Sequence, residues 1–230
     1  MKRSEINDAI KFAKRVLENH HFMLPPFAFY DLSDWEQLDI VKNKDVFDGL
    51  LGWDVTDLAT GDFENIGLTL FTIRNKTDEN KKPYAEKIMV SREGQVTPMH
   101  YHWHKMEDII NRGGGELEVI LYNRDIESDL LDEVNDVVVK VDSTEVTLAP
   151  GEPLILKPGQ SICIPPCIYH SFYPRAGAGY VFAGEVSMAN DDKHDNRFLQ
   201  PLGRFTDIEE DEAPITLLCS DYENYLIKGN

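Results

Sequence analysis

Gly94-Gln-Val-Thr-Pro-Met-His100-Tyr-His102-Trp-His104-Lys-Met-Glu107-Asp-Ile-Ile-Asn-Arg-Gly-Gly114 sets two histidines one residue apart, with a carboxylate five positions after the second. Residues i and i+2 of a strand share a face, so a strand here aims both imidazoles into one space. Neutral imidazole suits transition metals, and a carboxylate completes three ligands while leaving positions open for a substrate. A cluster of surface histidines in a polar strand gives the same local pattern, so the pair alone does not decide between the two readings.

A second stretch decides it. Pro158-Gly159 opens a segment that runs through Pro165 and Cys167 to His170-Ser171-Phe172, with His170 between apolar and aromatic neighbours typical of a strand. Together the two stretches resemble the paired motifs of the cupin superfamily. The first matches throughout: Gly94, five residues, His100-X-His102, four residues, Glu107, six residues, Gly114. The second matches at Gly159, Pro165 and His170, with Cys167 where the pattern has glycine and Pro174 where it has asparagine. The resemblance implies a double-sheet jelly-roll barrel and a divalent metal held by His100, His102, Glu107 and His170.

Composition narrows the partners. The chain has 230 residues, with 41 acidic against 23 basic side chains and a net charge of -18. Such a surface repels phosphate backbones and anionic lipid, which disfavours nucleic acid and membranes as partners and favours a small neutral or cationic molecule. No apolar run approaches the ~20 residues of a membrane span, and no apolar h-region follows the basic start. Cys163, Cys167 and Cys219 are too few and odd in number for a disulfide framework, which points to a reducing cytoplasm. Cys163 and Cys167 read as buried thiols rather than as metal ligands.

The order of elements follows from periodicity. Ile6, Ile10, Ala13, Val16 and Leu17 recur at helical spacing and predict an amphipathic helix over residues 5–19, ended by Pro25-Pro26. Ser33-Asp34-Trp35-Glu36 reads as a capping box opening a second helix. The first 45 residues are thus a helical elaboration packed outside a barrel that spans 50–220, and the whole of 1–230 is one domain. From Leu51 the period becomes that of strands. Ile66 to Arg74, Tyr84 to Val90, Glu116 to Tyr122, Val137 to Val141, Thr144 to Leu148, Ile162 to Ile164, Ile168 to Tyr173, Tyr180 to Val186 and Ile215 to Cys219 are the expected strands. Asp142-Ser143 makes a hairpin turn, and Asp125 to Asp136 a solvated acidic loop. The fold class is mainly β, a jelly-roll barrel of short strands.

Within the barrel, Lys87 shares strand parity with Ala85 and Met89, and a hairpin through Arg92-Glu93-Gly94 would set its strand beside that of His100. An inward ammonium there serves as proton donor or oxyanion clamp; an outward one is ordinary surface. Glu185 has Val181 and Ala183 at its parity and is either an edge residue or a buried base, on a strand next to that of His170. His104 is not needed as a ligand and reads as exposed or supporting.

One more set of blocks narrows the family. The charged segment Asn190-Asp191-Asp192-Lys193-His194-Asp195-Asn196-Arg197-Phe198-Leu199-Gln200-Pro201 stands beside Leu51-Gly52-Trp53-Asp54-Val55-Thr56, Gly67 to Thr72, Ala85 to Met89, Asp108 to Gly115 and Tyr169 to Phe172. In these blocks the chain closely resembles the D-lyxose isomerases of cupin type over nearly its whole length. That resemblance implies interconversion of D-lyxose with D-xylulose, and of D-mannose with D-fructose. It also implies Mn2+ (with Co2+, Zn2+, Fe2+ or Ni2+ as alternatives), a cytoplasmic setting and a homodimer. Aldose-ketose isomerisation moves a proton between C2 and C1. Glu185 is the expected base, Lys87 the expected group at the substrate oxygens, and Trp53, Asp54, Asp195 and Arg197 the expected partners of sugar hydroxyls. A hydride shift competes as mechanism. A cupin Fe(II) dioxygenase and a non-catalytic sugar-binding cupin compete as functions.

Overall fold

Fourteen strands alternate with turns behind a long first helix in the computed structural model, which describes residues 1–189, 194–204 and 206–226. Asn190, Asp191, Asp192 and Lys193 of the charged segment, together with Phe205 and 227–230, lie outside the described residues.

The first helix, α1 (Arg3–Asn19), buries Ile6, Ala9, Ile10, Ala13, Val16 and Leu17, the face its periodicity predicts. It lies on the outside of the larger sheet, against Val55, Phe71, Ile88, Val90 and Phe182. Each buried aliphatic side chain there contributes about 1.5–3 kcal/mol. The helix also grips the chain's far end. Arg3, fully buried, donates to both Glu210 and Asp221, and Asn7 donates to Glu212 and the Ala213 carbonyl.

Two further short helices, α2 (Leu32–Glu36) and α3 (Lys44–Asp48), precede the strands. The cap of α2 is Asp31, not Ser33 as expected: its carboxylate accepts from Asp34 N at 3.0 Å, and Asp34 returns the bond to Asp31 N at 3.1 Å. A carboxylate two residues upstream outcompetes a hydroxyl, and Ser33 instead donates to Asp31.

The strands are β1 (Gly52–Thr56), β2 (Leu68–Arg74), β3 (Tyr84–Ser91), β4 (Thr97–Tyr101), β5 (Glu107–Gly114), β6 (Leu117–Arg124), β7 (Leu131–Asp132), β8 (Val137–Val141), β9 (Thr144–Leu148), β10 (Leu154–Leu156), β11 (Ser161–Ile164), β12 (Ile168–Pro174), β13 (Val181–Met188) and β14 (Arg197–Phe198). They form an eight-stranded sheet, β1-β2-β3-β13-β5-β11-β8-β9, facing a six-stranded one, β10-β6-β12-β4-β14 with β7 paired to β6. All of these pairings are antiparallel. This is the expected jelly-roll barrel with its helices outside.

Alternation sorts each strand between two environments. On β3, Ile88 and Val90 face the helix while Met89 faces inward; on β13, Phe182 faces the helix while Val181 and Ala183 face inward. The inward set joins Leu117, Val119, Leu121, Val139, Ile162 and Phe172 in a core that fills one end of the barrel. The other end is polar.

Four expectations need correction. Residues Ile215 to Cys219 form no strand: Leu218 makes a single bridge to Trp53, and a 3-10 turn (Cys219–Asp221) follows, packed with Trp35 and Tyr222. Asp221 stops the extension by accepting from Leu218 N while it holds Arg3. The strand of Lys87 is not beside that of His100, because β3 lies between β2 and β13 in the larger sheet whereas β4 belongs to the smaller one. Nor is β13 next to β12; it lies across the barrel between β3 and β5. Both residues reach the site from the facing sheet. The acidic loop is also less bare than expected, since it contains β7 and an engaged Asp129.

Candidate metal centre and active site

His100 lies on β4 directly across from His170 on β12, and His102 follows just past the end of β4. Their donor nitrogens lie within 4.8 Å of one another, and all three side chains are buried. Each ring has its Nδ1 against a backbone carbonyl: His100 with Pro98 at 2.7 Å, His102 with Asp195 at 2.9 Å, His170 with Ile168 at 3.0 Å. A carbonyl can only accept, so Nδ1 carries the proton in each ring and Nε2 presents a lone pair.

Burial first, then the neighbouring His170 and His102, push the His100 pKa well below 6.5, against the opposite pull of Glu107 and the Pro98 carbonyl. The ring is therefore neutral, as a ligand must be.

Glu107, first residue of β5, turns Oε1 toward this cluster, 2.9 Å from His170 Nε2 and 3.5 Å from His102 Nε2. Those three atoms are buried and find no hydrogen-bond partner among the described residues. Lone pairs facing a carboxylate oxygen repel unless a cation lies between them. The donor set therefore fits a divalent ion of the nitrogen-accepting kind.

The other oxygen of Glu107 is 2.6 Å from Lys105 Nζ. Burial alone would raise the Glu107 carboxyl, but the Lys105 ammonium outweighs it and holds the group well below its ordinary range.

Lys105 links this carboxylate to a second one. Its Nζ lies 3.0 Å from Glu185 Oε1, which also accepts from Ser187 Oγ at 2.8 Å and has Lys87 Nζ at 3.5 Å. Glu185 and Lys87 are direct cross-strand partners on β13 and β3, both buried and both inward, as their parity predicts. Two carboxylates and two ammonium groups thus sit side by side next to the imidazole cluster.

A cavity of about 550 Å³, counted out to bulk solvent, opens onto these groups. Its polar lining comprises Lys87, Thr97, the histidines His100 and His102, Lys105, Glu107, Glu185, Asn196 and Arg204; Leu68, Met89, Phe172 and Phe198 are among its apolar walls.

The remaining expected residues are placed differently from one another. Asp54 is buried behind the cavity and binds Arg204 Nη2 at 2.6 Å, so that Arg204 is the member of the pair that reaches the lining. Trp53 points to the other face of β1, donating to the Ala28 carbonyl and packing on Phe71. Asp195 is occupied by backbone: its carboxylate accepts from His104 N at 3.0 Å and Lys105 N at 3.1 Å, and its carbonyl orients His102. Arg197 faces outward and binds Asp129, while its neighbour Phe198 faces His100. His104 is exposed, in keeping with a role outside the ligand set.

Lys105 and Arg204 are the functional residues that sequence reasoning missed. Lys105 had a signal: Lys105, Glu107 and Ile109 are buried while Met106 and Asp108 are exposed, an alternation that continues the parity of Glu107 backwards. Arg204 had none, because its relation to Asp54 spans 150 residues.

The motif's turns also have physical reasons. Gly114 has φ +86°, and a Cβ there would meet the Tyr180 carbonyl at 2.4 Å. Cys167, where the cupin pattern has glycine, keeps the left-handed conformation at φ +64°, and its N–H donates to the His102 carbonyl at 2.8 Å. The two motif stretches are tied to each other at His102 itself.

Comparison with known proteins agrees with this geometry. The profile of the family described as D-lyxose isomerase matches residues 1–222. The D-lyxose/D-mannose isomerase of Escherichia coli O157:H7 is 49% identical over 228 residues, covering 98% of this chain and 100% of that protein. The protein of the same name from Serratia proteamaculans is 50% identical over 229 residues, covering 98% of this chain and 100% of its own. Among solved structures, Cellulomonas parahominis L-ribose isomerase with L-ribose superposes with a TM-score of 0.59 at 16% identity, covering 91% of this chain and 98% of that one, a likeness of fold.

Proposed function

The chain belongs to the D-lyxose isomerase family, and from that premise we propose that its substrates are D-lyxose and D-mannose, converted to D-xylulose and D-fructose. It is an aldose-ketose isomerase. The observation that carries the site assignment is the polar end of the barrel, where three imidazoles turn bare Nε2 atoms toward Glu107 within reach of the Lys105–Glu185 pair.

On this reading His100, His102, Glu107 and His170 hold one divalent ion, Mn2+ before the others. When bound, the ion supplies Lewis-acid polarisation of the sugar's carbonyl and adjacent hydroxyl. The chain's own residues do the rest. The Glu185 carboxylate removes the proton from C2 of the open-chain aldose and returns it to C1, a contribution of about 10²–10⁴ in rate. Lys105 and Lys87 surround that carboxylate, hold it ionised before the transfer, and stabilise negative charge on the neighbouring substrate oxygens as the proton of O2 passes to O1. Arg204, fixed by Asp54, and Asn196 hold the remaining hydroxyls, while Phe172 and Phe198 wall the cavity and limit water. Asp195 keeps its expected place near the substrate only indirectly, by setting His102 and Lys105.

We further read the chain as one domain, cytoplasmic and homodimeric. Half-exposed Tyr84, Met106, Val186 and Met188 adjoin one another on the outer face of β3 and β13, an apolar patch that supports self-association. No described helix is long and apolar enough to cross a membrane.

The test is an anaerobic assay of ketose formation from D-lyxose and D-mannose, on protein stripped with chelator and given back Mn2+. Turnover that needs the ion and no dioxygen supports the isomerase. Dioxygen-dependent consumption of substrate would establish the dioxygenase, and sugar binding without turnover would establish a binding protein.

A further inference from the structure

Behind the three histidines, on the outward face of the smaller sheet, one residue, Asp129, gathers the strands that carry them. Asp129 accepts from the Tyr101 hydroxyl at 2.7 Å and from Arg124 Nε at 2.6 Å on Oδ1, and from Arg197 Nε at 3.0 Å on Oδ2. Its backbone carbonyl accepts from the Tyr169 hydroxyl at 2.8 Å.

The partners are placed with a regularity. Tyr101 sits between His100 and His102, and Tyr169 immediately precedes His170. Arg197 precedes Phe198, which packs on His100, and follows by two residues Asp195, whose carbonyl orients His102. Arg124 closes the end of β6 and lies over the Tyr101 ring at 5.3 Å. The two tyrosine rings meet edge to face at 4.8 Å.

In a strand the side chains at i and i+1 point to opposite faces, so fixing Tyr101 and Tyr169 from outside fixes the inward directions of the histidines beside them. Metal ligands tolerate displacements of only about 0.2 Å. We propose that Asp129 is a positioning residue of the metal centre, locking β4, β12 and β14 in the mutual register that converges the three Nε2 atoms.

Asp129 itself adopts φ +60°, a conformation Asp and Asn accept more readily than other side chains. The Tyr101 hydroxyl, then Arg124 and Arg197, hold its carboxyl down at about 2 against the opposing effect of burial. The inference rests on the metal reading of the site, and its test separates the two.

The test uses Asp129→Asn, which keeps shape and backbone preference but loses the charge, and Tyr101→Phe, which removes one donor and leaves the ring packing. Tyr173→Phe is the control, since it removes a comparable hydroxyl–carboxylate bond, to Glu118 between β12 and β6, away from the histidines. Binding of Co2+ and Mn2+ to the stripped, folded proteins is measured by calorimetry, together with the visible spectrum of the Co2+ form and thermal midpoints.

If wild-type protein binds no Co2+, the metal reading itself fails. If it binds, Asp129→Asn is expected to weaken both ions about 10- to 100-fold and to alter the Co2+ spectrum, as loss of a supporting partner does. Excess Mn2+ then restores turnover. Tyr101→Phe follows in the same direction, and Tyr173→Phe matches wild type. Should Asp129→Asn not fold, Tyr101→Phe alone decides. Lower thermal midpoints with wild-type affinity and spectrum would reduce Asp129 to a structural tie and overturn the proposal.

Discussion

His100 is buried as a neutral base, and that has a consequence for metal-free protein. A base whose pKa is lower folded than unfolded binds fewer protons when folded, so its contribution is fully present above the unfolded value of 6.5 and is lost as pH falls toward the depressed folded value. Urea midpoints of stripped protein should be level above about pH 7 and fall below about pH 6.5, with a shallower fall in His100→Gln. Equal slopes in the two proteins would remove His100 as the cause. Lys105 offers a second prediction at this scale. It lies between Glu107 and Glu185 with its side chain 3% exposed, so Lys105→Met takes the ammonium from Glu107 Oε2 and leaves Glu185 to Lys87 and Ser187, and should cost about 3–5 kcal/mol in unfolding by urea, besides turnover. A loss below about 1 kcal/mol would mean the two acids find other partners. The clustered histidines could be found through the resemblance to the paired cupin motifs, because a metal site constrains residue type and interval together. The outward turn of Arg197 and the backbone duties of Asp195 could not, since polar residues in a loop carry no parity. Trp53 was misplaced for a simpler reason: a buried indole serves a core as well as a sugar, and only the position of α1 decides which.

Strands announce themselves by alternation, and those that alternate best here, β2, β3, β8 and β13, run within a few residues of where their periodicity puts them. What alternation cannot carry is pairing. The jelly roll sends β3 and β4 to different sheets although only a short turn separates them, and it brings β13 between β3 and β5. Parity left Lys87 and Glu185 open between inward and outward, and their strands were wrongly read as neighbours of the histidine strands, because facing and adjacency are independent properties of a sheet. The segment from Ile215 to Cys219 looked like a strand on hydrophobicity alone; its order comes from Tyr222 and Asp221 just after it, held by Trp35 and Arg3, which are distant in sequence. The end of β5 gives the prediction at this scale. Gly114→Ala puts a Cβ 2.4 Å from the Tyr180 carbonyl and a side chain in left-handed backbone, so it should destabilise the protein by more than about 1 kcal/mol and loosen the β5–β13 pairing. Hydrogen exchange at Gly115 N–H, which donates to Tyr180, reads this directly; unchanged protection would show that the turn accommodates a methyl group.

The barrel as a whole divides its interior between an apolar core that supplies stability and a polar end that supplies chemistry, with the first helix clasped outside to the acidic segment 209–212 through Arg3 and Asn7. A divalent ion bound only by the folded chain adds stability by mass action, so stripped protein should regain thermal midpoint with added Mn2+ or Co2+ and much less with Mg2+, which prefers oxygen ligands. Equal recovery with Mg2+ would mean that the imidazoles are not its ligands. The central claim is that Glu185 carries a proton between C2 and C1 beside that ion. It is tested by isomerising D-mannose deuterated at C2 in ordinary water, with wild type and with Glu185→Gln at matched metal content. Wild type should yield D-fructose with less than one deuterium at C1, the remainder lost to solvent. Glu185→Gln should keep its metal and lose a factor of about 10² or more in rate. Full retention of deuterium at C1 together with near wild-type turnover by Glu185→Gln would establish a hydride shift and contradict the assignment.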